Sequence, residues 1–252
     1  MNVKNRVVLV TGSGSGIGEG IIKRLAQEGA RVVVNDLDPN KVEKVVGEIK
    51  EAGGDAIGYT ANVIDKCQVQ SMMDYIVHEW GRIDILVNNA GVSRDKSFLK
   101  LKEEDWDIVL DVNLKSVFLC SQAAALIMKE QKFGRIINIS SRAWLGWYAQ
   151  SNYSASKGGV VSLSRTLALE LGKYGITVNC ICPGLVDTPL FQSFGPEVIE
   201  RLMKAQPTGT IGKPKDIAWG ILFFAADESS YVTGQTIFIC GGKSLFATPS
   251  VS

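Results

Sequence analysis

Apolar and polar residues alternate in blocks along the chain, and the period of the pattern changes from block to block. Seven short runs rich in valine and isoleucine are typical of buried β-strands. They lie at residues 6–11, 31–36, 55–60, 83–88, 134–140, 176–182 and 235–240. The longer segments between them have a helical period, which predicts helices at 16–28, 40–52, 65–80, 106–129, 152–173 and 215–225.

This alternation of strands and helices predicts an α/β fold. A doubly wound, mostly parallel sheet of seven strands with helices on both faces accounts for all the segments. No internal repeat or linker divides the chain, so residues 1–252 are predicted to form a single domain. The irregular stretch around 185–213 is long for a connection in such a domain, and it predicts a lid over the substrate.

Composition excludes several classes of function. The chain has 252 residues and a net charge of +1, which favours neither a nucleic-acid partner nor a membrane surface. No apolar stretch is expected to be long enough to span a bilayer, and the first residues do not have the pattern of a secretory signal, so we expect a cytoplasmic protein. The five scattered cysteines predict buried free thiols. With His78 as its single histidine, the chain is expected to work without a histidine triad and without a metal.

A glycine-rich stretch at residues 11–18 follows the first predicted strand and opens the first helix. Glycines allow a tight turn and a close approach of backbone to a pyrophosphate, and the helix start offers free N–H groups to the anion. In this position the stretch predicts the nucleotide-binding start of a Rossmann fold. The residues expected to touch the nucleotide are Gly12, Ser15, Gly16, Ile17 and Gly18.

Asp36 ends the second predicted strand, where a carboxylate can accept hydrogen bonds from the hydroxyls of the adenosine ribose. The same charge repels a 2′-phosphate. Leu37 follows it, and the glycine stretch contains no lysine or arginine. The sequence therefore predicts NAD as the cofactor, the alternative being that Asp36 only caps a turn with Asp38 and Pro39.

Tyr153 and Lys157 stand four residues apart, on one face of a predicted helix. A phenol is a weak base at its usual pKa of about 10, but a neighbouring ammonium and a cationic nicotinamide both favour the phenolate. The pair therefore predicts a tyrosine acid–base whose pKa is lowered by Lys157.

These motifs occur in one order with others along the chain. They are Gly12-x3-Gly16-x-Gly18, Asn88-Asn89-Ala90-Gly91, Asn113, Ser140-Ser141, Tyr153-x3-Lys157 and Pro183-Gly184. Together they resemble the short-chain dehydrogenase/reductase family over essentially the whole chain. Residues 88–95 and 231–242 look most like 3-oxoacyl-thioester reductases and 3-hydroxyacyl-CoA dehydrogenases.

The resemblance implies a role for each matching residue. Tyr153 would be the acid–base, Lys157 would hold the nicotinamide ribose, and Asn113 would hold a water in a proton relay. Ser141 would bind the substrate oxygen, with Ser140 as the alternative. The remaining cofactor contacts would come from Asn62, Val63, Asn89, Ala90, Gly91, Pro183, Gly184, Val186 and Thr188. Family members are usually tetramers, which implies a homotetramer or a heterotetramer with a related subunit.

The loop between Ser141 and Tyr153 borders the substrate in the family fold. Trp144, Trp147 and Tyr148 in this loop favour a bulky apolar or aromatic substrate, although a subunit interface would also use them. Arg94 and Arg142 are candidates for binding a carboxylate or a phosphate, the alternative being solvated surface.

The leading hypothesis is NAD-dependent oxidation of a secondary alcohol, in a bulky, aromatic or carboxylated 3-hydroxyacyl-CoA from a degradation pathway. One alternative is a dehydrogenase of simple cyclic or aromatic secondary alcohols. Another is a biosynthetic 3-oxoacyl reductase, against which Asp36 argues. A fourth hypothesis is a silent NAD-binding scaffold subunit, and the presence of Tyr153, Lys157 and the serines argues against it.

Overall fold

The computed structural model describes residues 2–192 and 195–245, apart from the side chain of Leu190. The sequence predictions that include residues 1, 193–194 and 246–252 lie in part outside the described residues.

The seven predicted strands form one sheet in the order β3-β2-β1-β4-β5-β6-β7, and all the pairs are parallel. The strands are β1 (Val7–Val10), β2 (Arg31–Asp36), β3 (Asp55–Thr60), β4 (Ile85–Asn88), β5 (Gly134–Ile139), β6 (Ile176–Pro183) and β7 (Thr236–Ile239). This confirms the predicted doubly wound sheet. The strand order reverses between β1 and β4, and in sheets of this kind a ligand binds in the crevice at that point.

Helices cover both faces of the sheet. They are α1 (Gly16–Gln27), α2 (Pro39–Glu51), α3 (Lys66–Trp80), α4 (Glu103–Leu110), α5 (Ser116–Gln131), α6 (Ser151–Leu171), α7 (Pro189–Gln192), α8 (Pro196–Lys204) and α9 (Pro214–Ala225). One apolar core joins the sheet to α1, α2 and α9. A second core on the other face joins it to α3, α5 and α6. The two cores fix the carboxyl ends of the strands, where the functional residues lie.

The helix predicted at 106–129 is longer and is interrupted. It begins at Glu103, and a turn of π-helix at Asp111–Lys115 separates α4 from α5. By length and composition the whole of Glu103–Gln131 could cross a membrane, so the expectation that no apolar stretch has that length is wrong. Half of its most apolar window is buried inside the domain, as in the core helix of a folded protein.

The stretch predicted as a lid contains the short helices α7 and α8, rather than irregular chain alone. Its base is closed by a β-bridge between Val186 and Gly212, in which the N–H of Asp187 donates to the carbonyl of Gly212 at 2.7 Å.

Four of the five cysteines are buried as predicted, but Cys67 is exposed. The single histidine, His78, lies on the surface of α3.

Candidate functional site

A cavity of about 780 Å³ opens at the carboxyl ends of β1, β2, β4, β5 and β6. Most of the residues predicted to form the site line it: Gly12, Ser15, Gly16, Ile17, Gly18, Asp36, Leu37, Asn62, Val63, Asn89, Ala90, Gly91, Ser141, Tyr153, Lys157, Pro183, Gly184 and Thr188. The sequence interpretation missed Asn35, Lys41, Ala61, Val92, Ser93, Val112, Ile139 and Pro189, which also line it, and it placed Ser140 only as an alternative. Apart from Lys41 and Ser93 these are strand-end or backbone neighbours of predicted residues, and no side-chain chemistry distinguishes them in the sequence.

The glycine stretch forms one end of the cavity, and its geometry requires glycine. A Cβ on Gly18 would lie 2.4 Å from the carbonyl oxygen of Gly12 and 2.5 Å from Nδ2 of Asn89. Gly12 has a φ of +61°, and a Cβ there would lie 2.8 Å from Cα of Ala90. Ser15 precedes α1 without making a side-chain capping bond, so the N–H groups of the first turn stay available to an anion. This end of the cavity fits the pyrophosphate of a dinucleotide.

Asp36 is held at the edge of the glycine stretch. Its Oδ2 accepts a hydrogen bond of 3.1 Å from the N–H of Gly14, and its Oδ1 accepts one of 3.2 Å from the N–H of Asp38. The carboxylate therefore lines the cavity in a fixed position. Lys41, on the first turn of α2, lines the same end and packs its Cβ against Gly14, so an acid and a base stand together there.

Tyr153 and Ser141 meet at the other end of the cavity. The hydroxyl of Ser141 donates a hydrogen bond to the phenol oxygen of Tyr153, and it accepts one of 3.1 Å from the N–H of Ala143. Burial raises the pKa of Tyr153 above its usual value, the bond from Ser141 opposes that rise, and the charge of Asp95 adds to it. The lowering of this pKa by Lys157, expected from the Tyr-x3-Lys spacing, stays a prediction.

Lys157 is buried one helical turn after Tyr153. Its Nζ donates a hydrogen bond of 2.9 Å to the carbonyl oxygen of Ile139 and lies 5.7 Å from the centre of the Tyr153 ring. Burial lowers the pKa of Lys157 to about 8. A Cβ on Gly91 would lie 3.5 Å from this Nζ, so the ammonium rests against the loop that follows β4.

Ser140 is placed differently from Ser141. It is buried, and its hydroxyl donates a hydrogen bond of 2.8 Å to the backbone carbonyl of Lys157. This bond ties the end of β5 to α6. Of the two serines, Ser141 is therefore the one whose hydroxyl reaches the phenol of Tyr153.

Asn113 lies in the π-helical turn, below the cavity rather than in its lining. Its two amide hydrogens go to the carbonyl of Val92 at 2.9 Å and to the hydroxyl of Ser156 at 3.1 Å. Its Oδ1 accepts a hydrogen bond of 2.8 Å from the N–H of Val92. Both amide hydrogens are thus used by the protein, and the side chain supports the loop after β4, while the water relay at Asn113 stays a prediction.

Val186 is also displaced from its predicted position. It is buried in the core that joins α1 and α9 to the sheet, and it pairs with Gly212 at the base of the predicted lid. Its apolar side chain is therefore used for packing, while Pro183, Gly184 and Thr188 line the cavity as expected.

The aromatic residues predicted to bind substrate lie beside the cavity, not in its lining. Trp144 packs in a small core and stacks on Phe238 at 6.1 Å between ring centres. Its buried indole N–H has no oxygen or nitrogen acceptor among the described residues and faces the sulfur of Cys182. Trp147 is 40% exposed and Tyr148 is 87% exposed. Trp144 is therefore a packing residue, and the other two form an exposed rim.

The two arginines differ from each other. Arg94 is exposed and donates to the carbonyl of Ser93 at 3.0 Å. Arg142 is half-buried, and its guanidinium stacks over the ring of Trp147 at 4.3 Å. No carboxylate of the described residues pairs with Arg142, and burial lowers its pKa, opposed by the nearby thiol of Cys240. Cys240 lies directly behind Gly184 of the cavity wall, which places Arg142 beside the end that holds Ser141.

Comparisons of sequence agree with this arrangement. A family model described as enoyl-(acyl carrier protein) reductase matches residues 12–244. The chain is 49% identical to the (2S)-[(R)-hydroxy(phenyl)methyl]succinyl-CoA dehydrogenase subunit BbsD of Thauera aromatica, over 98% of this chain and all of that protein. It is 42% identical to the 3-oxoacyl-[acyl-carrier-protein] reductase FabG of Thermotoga maritima, over 96% of this chain and 99% of that protein.

A comparison of structures agrees as well. The fold superposes on the crystal structure of a proposed gluconate dehydrogenase from Agrobacterium tumefaciens with a TM-score of 0.93 and 34% sequence identity. The match covers 96% of this chain and 97% of that one. The likeness therefore extends over the whole domain, including the cavity.

Proposed function

The chain belongs to the short-chain dehydrogenase/reductase family, so it is an oxidoreductase that works with a nicotinamide cofactor, and we propose that it uses NAD to oxidise the secondary alcohol of a 3-hydroxyacyl-CoA to a ketone. The observation that carries the proposal is the half-buried Tyr153, beside Ser141 at one end of the cavity, with Asp36 at the other end.

The cavity fits a dinucleotide along its length. The glycine stretch packs so closely that a Cβ on Gly18 would collide with the backbone of Gly12. The N–H groups at the start of α1 remain open to a pyrophosphate. Asp36 can accept hydrogen bonds from the adenosine ribose, and Lys157 can donate one to the nicotinamide ribose. When bound, the nicotinamide ring supplies the hydride acceptor for the alcohol carbon.

We assign the proton chemistry to Tyr153, Ser141 and Lys157. The Oη of Tyr153, as phenolate, takes the proton of the substrate hydroxyl. Without substrate, the hydroxyl of Ser141 favours the charged form of the phenol of Tyr153. When substrate binds, the single hydrogen of this hydroxyl is donated to the substrate oxygen instead. Lys157 places an ammonium on the same helix face, and this positive charge favours the phenolate further once the site is closed to water. Asn113 supports this arrangement through Val92 and Ser156.

Asp36 is the basis for proposing NAD rather than NADP. Its carboxylate is fixed by two backbone N–H groups at the position where a ribose would lie. A 2′-phosphate brought there would meet that negative charge. A cell's NAD pool generally favours oxidation, so the proposed direction is from alcohol to ketone.

Lys41 makes the test of this proposal sharper. We expect Asp36→Ala to shift the ratio of kcat/KM for NAD over NADP toward NADP on the order of tenfold, because it removes a charged hydrogen-bond acceptor and a repulsion. Part of that shift comes from Lys41, whose positive charge at this end of the cavity is then no longer offset by Asp36 and attracts the 2′-phosphate. The double variant Asp36→Ala with Lys41→Ala should therefore use NADP less well than Asp36→Ala alone. Steady-state kinetics with both cofactors measure the ratio, and equal efficiency of the unmodified protein with NADP would contradict the proposal.

The proposed substrate is a bulky or aromatic 3-hydroxyacyl-CoA that also carries a free carboxylate. The name of BbsD describes such a compound, a hydroxy(phenyl)methylsuccinyl-CoA, and the likeness to that subunit covers the whole chain. Arg142 supports the proposal, because a half-buried guanidinium without a carboxylate partner is stabilised by an anion. The exposed Trp147 and Tyr148 offer apolar surface at the rim, and Arg94 offers a second positive charge.

Three substrates distinguish this proposal from the others. We expect NADH to form with a carboxylated aromatic 3-hydroxyacyl-CoA, more slowly with the same thioester lacking the carboxylate, and more slowly still with the matching free alcohol. Arg142→Gln should lower kcat/KM for the carboxylated thioester by about ten- to a hundredfold and leave the uncarboxylated one nearly unchanged, since a charge-assisted hydrogen bond is worth about 1.5–3 kcal/mol. NADH absorbance measures all the rates.

The outcomes separate the hypotheses. Equal efficiency with the free alcohol would favour a simple secondary-alcohol dehydrogenase. Faster reduction of a 3-oxoacyl thioester with NADPH would favour a 3-oxoacyl reductase, the activity for which FabG is named. Binding of NAD without turnover of any of these compounds would favour a scaffold subunit.

We also propose that the chain works in the cytoplasm as a tetramer, of identical subunits or with a related one. The support is apolar surface: α5 and α6 flank a cavity of about 500 Å³ with exposed Phe118 and Leu126 at its edge, and Phe223 of α9 is 43% exposed.

The predicted lid at 185–213 contributes Thr188 and Pro189 to the main cavity, which supports its proposed position over the substrate.

A further inference from the structure

A set of hydrogen bonds at the rim of the cavity ties residues 94–96 to the residues that lead into α6. The N–H of Lys96 donates to the carbonyl of Ala149 at 2.9 Å. Nε2 of Gln150 donates to Oδ2 of Asp95 at 2.7 Å, and Nδ2 of Asn152 donates to the carbonyl of Arg94 at 3.2 Å. These three bonds, which we call the clamp, reach the residues just before Tyr153.

The clamped segment contains a backbone conformation that its sequence does not favour. Ala149 has a φ of +63°, in the left-handed region. Glycine adopts this region freely and asparagine does so with help from its side chain, but alanine has neither advantage. Because nothing in the side chain of Ala149 stabilises the conformation, contacts from elsewhere must hold it. The bond from the N–H of Lys96 falls on this residue.

The start of α6 also lacks the usual side-chain cap. Gln150, at the capping position, makes no side-chain bond to the first turn, because its amide is turned toward Asp95. Asn152 is fully buried and its Nδ2 bonds the carbonyl of Asp105 as well, at 2.9 Å. Its Oδ1 accepts from the N–H of Tyr153 at 2.8 Å. The position of this first turn is therefore set by neighbouring segments.

We propose that Asp95 is a positioning residue, which holds the strained turn at Ala149 through Gln150 and so aligns the start of α6 for the reaction of Tyr153. This inference rests on the proposed role of Tyr153. The carboxylate of Asp95 is itself fixed by the hydroxyl of Ser93, a residue of the cavity lining, so the clamp joins the cavity wall to α6. A turn that relaxes without the clamp displaces Tyr153 from Ser141, whose position is set by β5.

The test is a rescue by glycine. We expect Asp95→Ala to lower kcat by about ten- to a hundredfold, the cost of a small misplacement of a reacting group, with little change in the Kd for NAD. Asp95→Asn removes the same negative charge, which raises the pKa of Tyr153, but keeps an oxygen acceptor for Gln150. It therefore separates positioning from charge and should retain most of the kcat. Ala149→Gly, combined with Asp95→Ala, should restore most of the loss, because glycine keeps the left-handed turn without the clamp.

Lys132→Gly is the matched control, since Lys132 is also a non-glycine residue in the left-handed region, with a φ of 55°, at the far end of α5. Combined with Asp95→Ala, it should restore nothing. A wild-type kcat in Asp95→Ala, or an equal rescue by Lys132→Gly, would overturn the proposal.

Hydrogen exchange gives a readout that does not depend on the substrate. In the protein with NAD alone, we expect the peptide at 146–156 to exchange faster in Asp95→Ala than in the unmodified protein, and Ala149→Gly to reverse that difference. If the acyl-CoA activity is absent but this pattern is found, the clamp stands and the proposed function fails. Unchanged exchange in Asp95→Ala would refute the clamp whatever the activity.

Discussion

Replacing Tyr153 by phenylalanine is expected to lower kcat for alcohol oxidation by about a hundred- to ten-thousandfold, the usual contribution of a general acid–base. Phenylalanine keeps the half-buried ring on α6 and removes only the oxygen that Ser141 contacts. The cavity and its glycine stretch are untouched, so the Kd for NAD should change little. Stopped-flow or steady-state NADH absorbance measures the rate, and cofactor fluorescence measures the binding.

The dependence of this loss on pH is a further check. Burial raises the pKa of Tyr153, so in the unmodified protein the phenolate, and with it the rate of oxidation, should increase as the pH rises toward that pKa. The small residual rate of Tyr153→Phe should lack this rise. A variant with nearly normal turnover, or with the same pH profile as the unmodified protein, would eliminate Tyr153 as the base.

The sequence predicts the fold well because the signals are local and repeated. The strand Arg31–Asp36 has the predicted bounds, since its buried valine run ends where polar residues begin. The edge strand Asp55–Thr60 also has the predicted bounds, although it is less buried. The glycine stretch is predicted for a similar reason. Three glycines at fixed spacing between a strand and a helix leave few other conformations, and Gly18 has no space for a Cβ.

The parts that the sequence does not predict depend on contacts between distant segments. Whether Trp144 faces substrate or core is decided by Phe238, more than ninety residues later in the chain. Lys41 belongs to a helix predicted only from its amphipathic period, and its place beside Asp36 follows from the packing of α2 on Gly14. The spacing of Tyr153 and Lys157 likewise predicts a pair on one helix face, but not the burial that raises the pKa of Tyr153 and lowers that of Lys157.

The two adjacent serines are expected to respond very differently to the same substitution, because successive residues of extended chain, here just after β5, point to opposite sides. Ser141→Ala removes the hydroxyl that bonds Tyr153 and, in the proposed reaction, the substrate oxygen. Loss of one such donor typically lowers kcat by about a hundred- to a thousandfold. The fold should be nearly unaffected, because among the described residues the other bond lost is the one from the N–H of Ala143.

Ser140→Ala is the matched control. Its hydroxyl bonds the carbonyl of Lys157 in a buried position, so its loss should lower the free energy of unfolding by about 1–3 kcal/mol. We expect kcat to fall by less than about tenfold, since no reacting oxygen loses a donor. Thermal unfolding and NADH formation, measured on both variants, give the comparison. A larger loss of kcat in Ser140→Ala than in Ser141→Ala would assign the substrate oxygen to Ser140 instead, and the bond between Ser141 and Tyr153 would then have no part in the reaction.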